Sequence, residues 1–292
     1  MSAPIRFALT AGLIVTGLLL TGCTLPTGEP SQRTVDPVAA LAHVHDLAID
    51  DKQRVLVATH DGIYRLPEIA GGTELTGPLG GARFDAMSFT TVGDTTFASG
   101  HPGSDSPAAF QAPNVGLMRV SGDADEWTNT SLGGRTDFHA LTSARVDTTV
   151  QLYGVDAASG ALLHSQDSGD TWSVGATLEA TDLAAYPGKA DTIYAATRAG
   201  VAISTDGGRT FKTDTSAPIL NQLAIAGKGT VYGIGPDGYL WKHAGAAWTR
   251  GEVLPGTAQA LTATDDRVIL ATDRGIFATA DMGVQWTPLW TP

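Results

Sequence analysis

An internal repeat with a period near 40 residues constrains the fold of this chain more than any other feature. Six short segments align without gaps, and their starting points lie about 38 to 54 residues apart. The segments are HVHDLAI from His43, RFDAMSF from Arg83, DFHALTS from Asp137, EATDLAA from Glu179, ILNQLAI from Ile219 and TAQALTA from Thr257. The fifth position is always large and apolar, and the sixth is always small. A repeat of this length is typical of β-propellers, in which each copy forms one blade.

Each copy also carries the parts of a four-stranded blade. A second run rich in β-branched and aromatic residues follows the first, and in five copies an aromatic residue begins a fourth run. A glycine opens the third run of every copy: Gly62, Gly116, Gly160, Gly200, Gly238 and Gly275. Glycine readily adopts the positive φ that tight connections require. The sequence therefore predicts an all-β fold, a β-propeller of about six four-stranded blades over residues 42–292.

The N-terminus predicts export. Arg6 precedes an apolar stretch without charge, residues 7–20, which is short for a transmembrane helix and suits a secretory signal peptide. The stretch ends in the sequence LTGC, in which Cys23 is the only cysteine of the chain. This ending resembles the bacterial lipobox. The resemblance implies cleavage after residue 22 and attachment of acyl chains such as palmitate to Cys23.

The lipobox resemblance divides the chain into three parts. Residues 1–22 are the expected signal peptide, and residues 23–41 are the expected tether, disordered because they are rich in Pro, Thr, Ser and Gly. The expected location is the extracytoplasmic face of the cell membrane, at the outer surface or in the periplasm, with Cys23 holding the lipid anchor. A net charge of −12 without a basic face argues against a nucleic-acid partner. A monomer is expected.

Three turns between the third and fourth runs share a more specific motif. SQDSGDTW from Ser165 fits the pattern S-x-D-x-G-x-T-W, STDGGRTF from Ser204 fits it with Phe for Trp, and TADMGVQW from Thr279 is a diverged copy. The aspartate is expected to accept backbone N–H groups, and the glycine to be left-handed. These turns resemble the Asp-box (BNR) repeats of sialidase-like and photosystem-assembly-factor-like propellers.

Four further phrases strengthen this resemblance. HVHDLA, THDGIY, GHPGS and DFHAL together are similar to exported bacterial BNR-like propellers that are often labelled glycosyl-hydrolase-like from their fold alone. The resemblance implies an architecture, and a shared fold does not establish a chemistry.

Strand direction places a polar site on the propeller axis. The first run of each blade lines the central channel, so its start and the loop between the second and third runs lie on one face, here called face one. The Asp-box turns lie on the opposite face, face two. The third position of every repeat is polar, and the first position points to the same side because strand side chains alternate. The third-position residues are His45, Asp85, His139, Thr181, Asn221 and Gln259.

Three interpretations of this axial site remain open. One is a divalent transition metal, zinc or copper, because imidazole and carboxylate groups suit these ions. The candidate metal ligands are His43, His45 and His139 with either Asp85 or Asp137, and His60 and His101 are candidates for groups at the rim of the site. Another is a small organic or glycan ligand contacted by His60, Arg83, His101, Asp137, Glu179, Arg198 and Arg274. The third is a hydrated channel whose polar groups only satisfy one another.

An enzymatic function is the alternative to a binding module. The resemblance to sialidases implies an arginine triad and a tyrosine–glutamate pair. The sequence YRLP from Tyr64 is similar to an arginine signature of that family, but Arg65 falls in a predicted third strand, away from the channel. A hydrolase with two carboxylates would use Asp137 and Glu179. The sequence favours a binding module, with a sialidase-like glycoside hydrolase as the alternative and a scaffold for an exported protein as a further one.

Overall fold

A computed structural model describes residues 41, 43–67, 75–122, 124, 126–245 and 247–292. The predicted signal peptide, the lipidation residue Cys23 and the tether up to residue 40 lie outside the described residues. Among the residues that are described, no helix is long and apolar enough to cross a membrane.

The described chain forms six antiparallel sheets in succession, each one a blade. Blade one contains β1 (Val44–Ile49), β2 (Val55–Thr59) and β3 (Gly62–Arg65). Blade two contains β4 (Phe84–Val92), β5 (Thr95–Pro102), β6 (Leu117–Ser121) and β7 (Thr128–Ser131). Blade three contains β8 (Phe138–Val146), β9 (Thr149–Asp156), β10 (Ala161–Ser165) and β11 (Ser173–Thr177).

The remaining three blades repeat the same order. Blade four contains β12 (Ala180–Ala185), β13 (Ile193–Thr197), β14 (Gly200–Ser204) and β15 (Lys212–Thr213). Blade five contains β16 (Gln222–Ile225), β17 (Val231–Ile234), β18 (Tyr239–His243) and β19 (Trp248–Val253). Blade six contains β20 (Ala258–Ala263), β21 (Val268–Thr272), β22 (Gly275–Thr279) and β23 (Thr287–Trp290).

The six blades close into a ring. The inner strands β1, β4, β8, β12, β16 and β20 each contact the inner strand of the next blade, and β20 contacts β1. The prediction of an all-β propeller with about six blades is therefore confirmed. In blade one, an isolated bridge between Arg65 and Thr76 stands where the other blades have a fourth strand. This is the copy whose sequence lacks the aromatic residue that begins the fourth run.

The hydrophobic core lies between neighbouring blades. Val44 and Val57 of blade one pack with Ile269, Ile276 and Trp290 of blade six in one buried cluster. This cluster closes the ring, because none of the described strands is shared between the first and last blades. Full burial of such a side chain stabilises the fold by about 1.5–3 kcal/mol. Apolar packing between blades thus holds the inner strands at fixed positions around the axis.

The predicted turn chemistry is present. All six glycines that open the third strands have positive φ, between 67° and 133°. In the turn after β10, Asp167 Oδ1 accepts hydrogen bonds from the Thr171 N–H at 2.9 Å and from the Ser165 hydroxyl at 2.8 Å. Hydrogen bonds from Thr171 and Ser165 lower the pKa of Asp167 to about 2. The corresponding bonds form at Asp206 and Asp281.

Candidate functional site

A β-bulge near the start of the inner strand brings polar residues to the axis. In four blades the pairing with the second strand skips the third-position residue, which is His45, His139, Thr181 or Gln259. A bulge inserts one residue and re-aims its side chain. In blade two the bulge falls later, at Met87, and Asp85 keeps a regular pairing with His101.

An open cavity of about 630 Å³ lies at the axis on face one. Third-position residues from five of the six blades line it: His45, His139, Thr181, Asn221 and Gln259. The residue of blade two, Asp85, does not line the cavity and instead contacts two histidines of blade one. The structure therefore has a polar cavity where the repeat pattern predicts one.

Three histidines and one carboxylate meet at the rim of this cavity and form site A: His43, His45, His60 and Asp85. His45 Nε2 lies 3.1 Å from His60 Nδ1, and Asp85 Oδ1 lies 2.9 Å from His60 Nδ1 and 3.3 Å from His45 Nε2. The His43 ring completes the group, with its centroid 4.8 Å from that of His45 and 5.3 Å from that of His60.

The spacing in site A fits a metal ion. Zinc bonds of about 2.0–2.2 Å to nitrogen and oxygen place the ligand atoms of a tetrahedral site roughly 3.3–3.6 Å apart. The three contacts of 2.9–3.3 Å between His45, His60 and Asp85 are close to that value. One ligand atom from each of His43, His45 and His60 lies within 4.8 Å of the others. Either the three histidines, or His45 and His60 together with Asp85, lie close enough to hold one ion.

The protonation of His45 also suits a cation. Burial, reinforced by the nearby His60 and His43 rings and opposed by Asp85, lowers the pKa of His45 to about 4. The His45 side chain is 9% exposed, whereas the His60 side chain is 62% exposed. His45 is therefore neutral at physiological pH, and a neutral imidazole has one unprotonated nitrogen, which is the form that binds metals.

The turn that carries His60 is fixed by a second set of contacts. The Arg83 guanidinium forms an ion pair with Asp61, with 2.7 Å between Nη1 and Oδ2. The Tyr64 hydroxyl donates to the same carboxylate at 2.9 Å. The Thr59 hydroxyl accepts the Asp61 N–H at 3.1 Å and donates to the Gly62 carbonyl at 2.9 Å. Arg83, a candidate ligand contact from sequence, thus lies in a position to orient the residue next to His60.

A second cluster, site B, consists of His101, Asp137 and His139. Asp137 Oδ2 lies 2.6 Å from His139 Nε2 and 3.3 Å from His101 Nε2. The hydrogen bond to Asp137 raises the pKa of His139. The sequence grouped His139 with His43 and His45, with Asp85 or Asp137 as the carboxylate, whereas the structure places it with His101 and Asp137. Five predicted site histidines therefore form two clusters instead of one ring.

The other predicted contacts lie away from the cavity. Glu179 is exposed just before β12, and Arg198 and Arg274 are exposed in the turns that precede β14 and β22. None of these three residues lines the face-one cavity. Arg65 lies in β3, as the sequence predicts, and donates to the Gly122 carbonyl at 3.4 Å.

Two carboxylates of the channel were missed from the sequence. Asp46 and Asp182 belong to blades one and four, on opposite sides of the ring, and line both the face-one cavity and a second cavity of about 480 Å³. Asp46 Oδ2 accepts from the Ser88 hydroxyl and the Phe89 N–H of blade two, both at 3.0 Å. Asp182 Oδ2 accepts the Leu223 N–H of blade five at 2.8 Å. Each carboxylate therefore ties one inner strand to the next.

Asp182 is expected to make the stability of the ring depend on pH. Burial, together with the charge of Asp46, raises the pKa of Asp182 to about 8. The pKa of an aspartate in the unfolded chain is about 3.9. Between about pH 4 and pH 8, therefore, Asp182 keeps a proton in the folded state that it loses in the unfolded state. The stability from this group is thus present at low pH and is lost as pH rises towards 8. Asp182→Asn should flatten the fall in melting temperature between pH 5 and pH 8.

Thermal unfolding at four pH values measures this effect, with the exposed Asp105→Asn as the matched control. The control should keep the wild-type slope. An equal slope in Asp182→Asn and in the wild type would contradict the assignment.

The known proteins that resemble this chain share its fold. No protein-family model matches the chain. A xyloglucanase of Hypocrea jecorina is 30% identical over an alignment of 172 residues that covers 49% of this chain and 20% of that enzyme. The solved GH74 xyloglucanase of Xanthomonas campestris superposes with a TM-score of 0.55 at 15% identity, covering 87% of this chain and 46% of the enzyme.

A third similar protein is PorZ of Porphyromonas gingivalis, a surface component of the type-IX secretion system. It has a TM-score of 0.53 at 10% identity, covering 86% of this chain and 39% of PorZ. The chain thus spans about a fifth of the curated xyloglucanase and less than half of either solved protein. This chain has a propeller fold like that of GH74 xyloglucanases.

Proposed function

We propose that this protein binds a divalent transition-metal ion at site A, on the extracytoplasmic side of a membrane to which Cys23 anchors it. One observation carries the proposal: His45 Nε2, His60 Nδ1 and Asp85 Oδ1 form a triangle with sides of 2.9–3.3 Å. One hydrogen atom can bridge only two of these three atoms, whereas a cation can bond to all three.

The ligand set selects the class of ion. Imidazole nitrogens suit zinc and copper, whereas magnesium and calcium prefer all-oxygen sites. His45 would bind from the buried side, and the exposed His43 and His60 would bind from the solvent side. The Arg83–Asp61 ion pair would hold the turn of His60 in place, as outer contacts do in known metal sites. The site therefore suits uptake and release of an ion from solution.

Thermal unfolding with added metal tests the proposal on detergent-solubilised protein made without an affinity tag. An ion at 100 times its dissociation constant adds about 2.7 kcal/mol, which corresponds to about 5–10 °C in a domain of this size. We expect zinc or copper to raise the melting temperature by this amount and magnesium to leave it unchanged. No shift with either transition metal, together with no metal in the purified protein, would contradict the proposal.

Glycan binding or hydrolysis is the second candidate function. Two observations favour it: the 30% sequence identity with a xyloglucanase over 49% of this chain, and the polar cavity of about 630 Å³. For hydrolysis the two carboxylates would be Asp137 and Glu179. Asp137 is buried between two imidazoles, however, whereas Glu179 is exposed, so binding is better supported than hydrolysis.

The same thermal assay with xyloglucan oligosaccharides, combined with an assay for released reducing sugar, tests this candidate. Sugar release that Glu179→Gln abolishes would establish a hydrolase. A thermal shift without release would establish a binding protein. If the oligosaccharides cause no thermal shift and no reducing sugar is released, this candidate function is ruled out.

A further inference from the structure

We infer that site B is a second metal site, independent of site A, and that its open coordination positions face the axial cavity. The inference goes beyond the proposed function, which requires only site A. It assigns His101, Asp137 and His139 as three ligands of one ion, and a small anion with oxygen donors as the ligand that completes the coordination.

The backbone of blades two and three brings these ligands together. His101 lies near the end of β5, Asp137 directly precedes β8, and His139 occupies the bulge of β8. One ligand atom from each residue lies within 4.8 Å of the others. The His101 and His139 rings stand 6.3 Å apart at 85°, so their nitrogens approach Asp137 from different directions. Two imidazoles and a carboxylate form a known open-sided set for divalent transition metals.

The carboxylate of Asp137 is an independent indication of a cation site. Asp137 is 7% exposed, and both of its described ion-pair contacts are to histidines. Its second oxygen, Oδ1, is buried and has no hydrogen-bond partner within the described part of the chain. A buried carboxylate is costly unless a cation or hydrogen bonds compensate it. A bound ion would compensate the carboxylate and replace the contacts that Oδ2 now makes.

The exposure of site B leaves room for a further ligand. Three protein ligands fill three of the four to six positions that such ions use, whereas site A offers four residues. The His101 side chain is 38% exposed and that of His139 is 49% exposed. His139 also lines the axial cavity together with Thr181 and Asn221. An ion at site B would therefore bind water at its remaining coordination positions on the cavity side, and an anion could replace that water.

The two sites share one pair of strands. Asp85 of site A and His101 of site B are direct register partners in β4 and β5. Residues so paired have Cβ atoms about 4.5–5.5 Å apart. Blade two thus contributes one ligand to each site, and the sites are neighbours with separate ligand sets.

Cobalt(II) titration of the full chain tests the inference, with visible absorption as the readout. We expect two equivalents in the wild type and in the matched control His243→Ala, whose ring lies beside Trp248 and outside both sites. His101→Gln with His139→Gln should leave one equivalent, and His43→Gln with His60→Gln should also leave one. Acetohydroxamate should change the spectrum of the wild type and of the site A variant, and should leave that of the site B variant unchanged.

The outcomes separate this inference from the proposed function. If the wild type binds one equivalent of cobalt(II) and only the site A variant loses it, site B is overturned and the proposed function stands. One equivalent that only the site B variant loses would establish site B and contradict site A. Asp137→Asn keeps the shape of the side chain and removes its charge, so it tests site B if the double variant does not fold. An unchanged two equivalents in Asp137→Asn and in a folded double variant would also overturn the inference.

Discussion

His45→Ala is expected to weaken zinc binding at site A by about 100-fold or more. His45 has the least exposed side chain of the proposed site A ligands, and partial burial lowers its pKa to about 4, which keeps the imidazole neutral. Loss of contacts that merely orient a ligand already costs about 10–100-fold in known metal sites, and loss of a ligand itself should cost at least the upper value. Isothermal titration of wild type and variant at pH 7 measures the change.

Two further variants are compared with His45→Ala. Asp85→Asn should weaken binding less, because the amide oxygen remains a donor while the charge is lost. His243→Ala removes a histidine from β18, outside site A, and should bind zinc as the wild type does. Affinity of His45→Ala within twofold of the wild type would show that zinc does not use this imidazole.

Gly100→Ala is expected to destabilise the protein by about 3 kcal/mol or more, the sum of backbone strain and overpacking terms of about 1–3 kcal/mol each. Gly100 lies in β5 beside the bulge of β4, with φ of +150°. A Cβ there would overlap the carbonyl oxygen of Asp85 and approach the Met87 nitrogen to 2.9 Å. Both are backbone atoms, so β4 itself must move. A fall in melting temperature of about 6–12 °C would follow in a domain of this size.

The matched control is Gly188→Ala. Gly188 also has positive φ, 72°, but a Cβ there would meet nothing within 4 Å. The control therefore isolates the cost of the left-handed conformation, about 1–2 kcal/mol. Gly100→Ala should also weaken zinc binding, because the main chain that carries Asp85 is displaced. Equal melting temperatures for the two variants would contradict this account of β4.

The fold could be predicted from the sequence because each blade repeats one local pattern. Alternation, turn glycines and a recurring apolar position are local signals, and six copies of them specify a ring. Blade one departs from the pattern where its sequence does: no aromatic residue begins a fourth run, and within the described residues the structure has the bridge from Thr76 to Arg65 in its place.

The grouping of the site residues was harder to predict, because the bulges cannot be seen in the repeat. A regular strand points its third and fourth positions to opposite sides. The extra residue of the bulge lets both His45 and Asp46 reach the channel, and the same holds for Thr181 and Asp182. The repeat does carry a signal for the missed carboxylates, since only Asp46 and Asp182 are acidic at the fourth position.

The later bulge of blade two explains why one predicted ring of ligands became two clusters. With the irregularity at Met87, Asp85 stays paired with His101 and turns towards His45 and His60. His139 is left to pair with Asp137. A shift of two residues in one strand, which no periodicity reveals, thus decides which histidines lie together.

Anomalous diffraction at the zinc absorption edge, from crystals grown with zinc, tests most directly whether the histidines of face one form a metal site. We expect a peak about 2.0–2.2 Å from His45 Nε2, His60 Nδ1 and an oxygen of Asp85. A map with no peak among these three residues, from crystals whose zinc lies elsewhere on the protein or is absent, would contradict it.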